Sequence, residues 1–319
     1  MEKACENFCK IMHLIETDEY LAPRFSNIKS EYYGDALCMQ LYAMLFMQRR
    51  NPGLYEEMCN LSDLALCQYP NEPGELERHR QYRSHIELEQ GNIEEAIRWL
   101  FWAKEYVAEE ITVQTVADFW ELICNTEFEV SCRYYLMYYL LIMCEAGIRK
   151  HPLGEILYEG LQKQDRILYL AGIKVRSANA EAQSIDFSSV QDTDTGIEYH
   201  PTEVIYWKYA TYLALDKKEK EALLYYKKAT SVCFFSEEYL TMYVTGLGIE
   251  AERIWCLLRL GKKEDAKAAG RELLRKVKSL AKKNLPSSVR GVLREFVTIL
   301  EGKQADMDKY WKMARRITY

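Results

Sequence analysis

Residues 202–229, TEVIYWKYATYLALDKKEKEALLYYKKA, decide the fold. Two runs of aromatic, aliphatic and helix-favouring residues flank the polar turn Asp216-Lys217-Lys218, so the stretch reads as helix, turn, helix. The pattern returns at residues 248–274, GIEAERIWCLLRLGKKEDAKAAGRELL. In each pair a small residue stands five places past the turn: Ala222 after Lys217 and Ala266 after Gly261. In the first pair Tyr226 follows at nine and Ala229 at twelve. Small side chains at this spacing let a neighbouring helix approach closely, and the large one fills the seam. One helix hairpin cannot bury its own apolar face, so a repeated hairpin implies neighbours that share a core.

Other turns carry the same spacing. Gly53 is followed by Met58, Ser62 and Ala65; Gly91 by Ala96, Leu100 and Ala103; Gly302 by Met307, Trp311 and Ala314. In the helix before Lys217, Tyr206, Tyr209, Ala210 and Leu213 supply an aromatic, a large, a small and a large residue in that order. This pattern resembles the tetratricopeptide (TPR) repeat, a helix-turn-helix binding scaffold. The resemblance implies an all-α fold, an α-solenoid of antiparallel helix hairpins winding as a right-handed superhelix. The turns are 38, 44 and 41 residues apart, against a family period of about 34, so longer helices or inserted loops must take up the difference.

The rest of the chain also reads as helix. Amphipathic runs cover residues 1–17, 35–49, 54–69, 75–89, 93–107, 112–124, 128–146 and 153–171, with Asn51-Pro52-Gly53 and Asn71-Glu72-Pro73-Gly74 as breaks. Residues 177–200, SANAEAQSIDFSSVQDTDTGIEYH, are rich in Ser, Asp, Thr and Gln and read as a long loop. The expected organisation is an N-terminal helical half at 1–176, a linker at 177–201, and a C-terminal TPR-like half at 202–319 with a basic end.

Composition fits a folded helical protein: 49% hydrophobic and 28% charged residues, with seven Pro and fifteen Gly. The N-terminus, MEKACENFCKIMHLIETDEY, has no basic segment leading into an apolar core, so no secretory signal is expected. The most apolar stretch, YYLMYYLLIM at 134–143, is too short to span a bilayer. A cytoplasmic protein with no membrane partner is expected. The ten Cys include no CxxC pair and lie mostly in apolar helical runs, as free thiols acting as small hydrophobes. Cys5 and Cys9 could share a helix face but lack a second ligand pair, so no metal site is expected.

Enzyme signatures are absent. The five His residues form no HExxH spacing, and His79 and His85 fall roughly 120° apart around a helix. No GxGxxG, GxxxxGK[ST] or GxSxG occurs. The sequence therefore points to a non-enzymatic protein that needs no cofactor.

The net charge of −6 hides an asymmetry. Residues 259–319 hold 17 basic and 7 acidic residues, and the remainder carries the opposite excess. Lys262, Lys263, Lys267, Arg271, Arg275 and Lys278 concentrate on one helix and its start. They form either a docking face for an acidic peptide or nucleic acid, or a solvated helix face, and the solvated face is favoured. In the resembling family, peptides lie in a concave groove lined by first helices. Carried over by spacing, that implies Gln40, Arg50, Arg78, Gln81, His85, Glu89, Trp207, Thr211, Trp255 and Arg259 as contacts for a protein or peptide segment. Trp207 and Trp255 are equally well read as core residues. The functional expectation is a protein- or peptide-binding scaffold or regulator; the alternative is a nucleic-acid-associated protein using 259–319.

Overall fold

The computed structural model describes residues 52–68, 73–126, 129–171, 173, 201–232 and 240–281, with the isolated positions Glu6, Asn7, Lys10, His13, Met44 and Arg294. The regular elements among them are all helical. A 3-10 turn at Pro52–Leu54 leads into α1 (Tyr55–Gln68), followed by α2 (Pro73–Gln90), α3 (Ile93–Trp102), α4 (Val113–Thr126), α5 (Glu129–Ile148), α6 (Leu153–Gln162) and α7 (Asp165–Leu170). Then come α8 (Pro201–Leu215), α9 (Glu219–Val232), α10 (Leu240–Arg259) and α11 (Lys263–Ala281). The expected linker at 177–200 and the hairpin after Gly302 lie outside the described residues.

The chain divides into two compact units, Met1–Thr115 and Val116–Tyr319. Within the second unit α5 packs along α8, which joins the middle helices to those that follow.

Five turns share one geometry. Gly91, Glu105, Lys150, Lys217 and Gly261 all have positive φ, between 53° and 85°. In each, the next N–H donates to the carbonyl five residues back: Asn92 to Glu87, Tyr106 to Phe101, His151 to Ala146, Lys218 to Leu213 and Lys262 to Leu257. This is the Schellman closure, which satisfies carbonyls that a helix end would leave bare. At three of the five the residue is not glycine, and the left-handed conformation costs about 1 kcal/mol or more.

In the first unit α2 packs against both α1 and α3. Its sequence, PGELERHRQYRSHIELEQ, is strongly polar, yet His79, Arg80, Ser84, His85 and Glu87 are all buried. Burial is tolerated because the polar groups bond to one another. Glu87 accepts from Arg83 Nε at 3.0 Å, Tyr55 Oη at 2.9 Å and Asn92 Nδ2 at 2.7 Å. Ser84 Oγ donates to the Ala96 carbonyl at 2.6 Å.

In the second unit α5 packs on α6 and α8, α8 on α9, α9 on α10, and α10 on α11. Every residue from Val204 to Ala214 on α8 is buried. Close approach is set by two glycines. A Cβ on Gly154 would sit 3.4 Å from the Gly147 nitrogen, and one on Gly147 would sit 3.4 Å from the Tyr212 ring. Tyr212 Oη donates to the Gly154 carbonyl at 2.9 Å, and Tyr139 Oη to that of Leu157 at 2.6 Å. Phe119, Trp120, Tyr135 and Tyr139 pack edge to face around them, adding about 0.5–1.5 kcal/mol per pair beyond their area.

The small-residue slots are packed. Met58, Ser62, Ala65, Ala96, Leu100, Ala222 and Ala229 are fully buried, and Ala103, Tyr226 and Ala266 are at most 4% exposed. Two helices are shorter than the sequence suggests. The run 93–107 leaves the helix at Trp102, where Arg98 reaches forward to the Ala108 and Glu109 carbonyls and draws the chain back. The run 153–171 breaks at Lys163 and Gln164, whose side chain donates to the Ala117 carbonyl at 2.7 Å.

Candidate binding site

The expected contact residues of the first unit fall on α2 at helical spacing. Arg78 and Gln81 are half-buried, His85 is buried, and the Glu89 carboxylate is 7% exposed. They bond along the helix: Gln81 Nε2 donates to Glu77 Oε1 at 3.3 Å, and His85 Nε2 lies 3.6 Å from Glu89 Oε1. Beside them His79 has no exposed surface, and burial, reinforced by the Arg78 charge, lowers its pKa to about 4. A neutral imidazole is therefore fixed in the middle of a charged helix. Gln40 and Arg50 lie outside the described residues.

In the second unit the structure departs from a simple groove lining. Trp207 is 1% and Thr211 is 2% exposed, so neither presents a surface to a partner. The cause is α8 itself, whose apolar residues run round the whole helix from Val204 to Ala214, Lys208 and Thr211 apart, and are all buried. Trp255 is half-buried with its indole N–H enclosed. Arg259 is exposed yet tied within the chain: its guanidinium pairs with Glu219 at 2.6 Å and donates to the Ala214 carbonyl at 3.2 Å, fastening the end of α10 to the α8–α9 turn.

Trp207 and Thr211 instead flank a buried carboxylate. Glu252 of α10 is 1% exposed, and its Oε2 accepts from Thr211 Oγ1 at 2.7 Å and Tyr226 Oη at 2.8 Å. Lys208 is fully buried, with its ammonium 3.4 Å from the Trp207 ring centroid. Cys144 Sγ of α5 donates to the Lys208 carbonyl at 3.1 Å. Desolvation raises the Glu252 pKa and outweighs the opposing pull of Lys208, Thr211, Tyr226 and Trp207. Burial likewise pushes the Cys144 thiol up, and the Cys256 thiol up to about 12, so both stay protonated. Four helices meet at this polar centre. The sequence held a signal for part of it: Lys208 is a lone charge inside the apolar run 204–214, and buried charges need partners, whereas Glu252 stands among the charged residues Glu250 and Arg253 and gives no such sign.

The basic residues Lys262, Lys263, Lys267, Arg271 and Arg275 are exposed, and Lys278 lies on the same helix, α11. Lys267 pairs with Glu264 and Arg275 with Glu272, each at 2.8 Å. Among the described residues no three His, Cys, Asp or Glu side chains group to hold a metal ion, and no helix is long and apolar enough to cross a membrane.

No family model, curated protein or solved structure matches this chain.

Proposed function

We propose that the chain is a non-enzymatic scaffold of TPR-like hairpins that binds a protein or peptide segment. One observation carries the reading: the small residue five places past each of the Gly91, Lys217 and Gly261 turns is buried, while each turn closes in the same left-handed geometry. A repeated turn with a repeated small-residue seam is how hairpins become stackable units, and stacked hairpins leave curved faces on which segments dock. The accessible candidates on first helices are Arg78 and Gln81 on α2 and Trp255 and Arg259 on α10. Arg and Trp are common anchors at interfaces.

The test is binding of the purified full chain to an array of unrelated peptides, repeated with Arg78→Ala, Gln81→Ala and Trp255→Ala after checking each fold by circular dichroism. Saturable binding that at least one substitution weakens about tenfold supports the reading. Absence of binding, or binding that none of the three alters, contradicts it. The second reading, nucleic acid held by the exposed basic residues of α11, predicts salt-dependent retention on immobilised nucleic acid.

A further inference from the structure

The first unit presents an exposed aromatic held rigidly within an acidic rim. Trp102 closes α3 and is 40% exposed, and Val107 in the following turn is 80% exposed. The indole is fixed by its neighbours. The Arg80 guanidinium lies 4.4 Å from its centroid, and Trp99 packs beside it at 4.8 Å. Arg80 also donates to the Trp102 carbonyl at 3.0 Å and reaches Glu105 at 4.0 Å. An exposed tryptophan already held by its neighbours loses less freedom on docking, which suits it to anchor an interface.

The acidic rim is Glu105, Glu109 and Glu110 in the turn after Trp102, with Glu94 and Glu95 further along the same helix in the first turn of α3, all exposed. The turn is pinned to α3 by Arg98, which bonds Glu94 at 2.8 Å and the Ala108 carbonyl at 2.9 Å. The cations here are Arg80, buried beneath Trp102, and Arg98 and Lys104, half-buried and paired with Glu94 and Glu77. The outward charge is therefore negative.

The same chain carries the complementary surface. Lys263, Lys267, Arg271 and Arg275 recur every fourth residue of α11, so they form one exposed edge about 18 Å long. Their pairings with Glu264 and Glu272 are solvent-exposed and of small worth. Lys or Arg over the open face of Trp102 adds a cation–π contact to the charge attraction.

We propose that the Trp102 face of one copy docks on the basic edge of α11 in a second copy, head to tail. Because the two surfaces differ, the contact is heterologous and propagates into a ring or an open chain of copies.

The experiment is sedimentation velocity of the full chain across a concentration series. The expected result is association that weakens at least about tenfold between about 50 mM and about 500 mM salt, as screened ionic contacts do. Reversing the rim (Glu105→Lys, Glu109→Lys, Glu110→Lys) or the edge (Lys263→Glu, Lys267→Glu, Arg271→Glu) should each abolish association. Mixing the two variants should restore it. Carbodiimide cross-linking of mixed labelled and unlabelled wild-type chains should join rim carboxylates to α11 lysines of different copies. A monomer at every concentration, a mixture of variants that stays monomeric, or links found only within one copy would overturn the proposal. So would an α11 edge that binds nucleic acid while the chain remains monomeric.

Discussion

Tyr226 of α9 donates its hydroxyl to Glu252 of α10 at 2.8 Å, across the junction of two successive helix hairpins. Thr211 of α8 bonds the same carboxylate oxygen at 2.7 Å. One buried carboxylate thus ties three helices that apolar packing alone could hold in several registers. Removing it leaves two hydroxyls without their acceptor and takes a carboxyl group from the surroundings of the buried Lys208 ammonium. Glu252→Ala is expected to cost about 3–5 kcal/mol, and Tyr226→Phe about 1–3 kcal/mol. Urea unfolding of each variant measures both.

The carboxyl of Glu252 has its pKa held above the ordinary value by burial. The unfolded chain therefore releases this proton at lower pH than the native chain does. Native stability from this group is full below the unfolded pKa near 4.5 and falls as pH rises through the folded value. Glu252→Gln removes this component, so wild type and variant should differ in the slope of stability against pH above that point. Parallel slopes would contradict the expectation.

His79 works in the other direction. Its folded pKa is about 4, below an ordinary value of 6.5. As pH falls from 6.5 to 4 the unfolded chain gains a proton that the native chain refuses, so stability drops by roughly 3 kcal/mol across that window. His79→Gln should flatten the drop, as read by unfolding midpoints from pH 4 to 7.

The small-residue slots set how closely helices meet. Ala96→Leu and Ala222→Leu insert three carbons into sites with no exposed surface, and each should destabilise by about 1–3 kcal/mol. Leu224→Ala, at a residue 61% exposed, should change stability by less than about 1 kcal/mol. Thermal melts of the three variants check the contrast.

The helices were readable because their evidence is local. The cap at Thr112, where Thr112 Oγ1 takes the Thr115 N–H at 3.2 Å and Thr115 Oγ1 takes the Thr112 N–H at 2.8 Å, is written in the pattern T-x-x-T. The buried slots after Gly91, Lys217 and Gly261 follow from spacing. What spacing could not give is which side of α8 stays open. Trp207 and Thr211 sit at groove positions by count, but the apolar residues of α8 run round the whole helix, and its enclosure depends on α5, some sixty residues upstream. Arg259 shows the limit for single residues: spacing marks it as a surface contact, and the structure, while leaving it exposed, also makes it a fastener between Glu219 and the Ala214 carbonyl.

The central claim is that successive hairpins enclose α8 between their neighbours. Hydrogen exchange followed by mass spectrometry tests it most directly, because an enclosed helix exchanges only when the whole unit opens. Peptides covering 204–214 should exchange as slowly as global unfolding allows, with those covering 135–146 close behind and those from the exposed edge of α11 much faster. Exchange across 204–214 as fast as that of α11 would contradict the account.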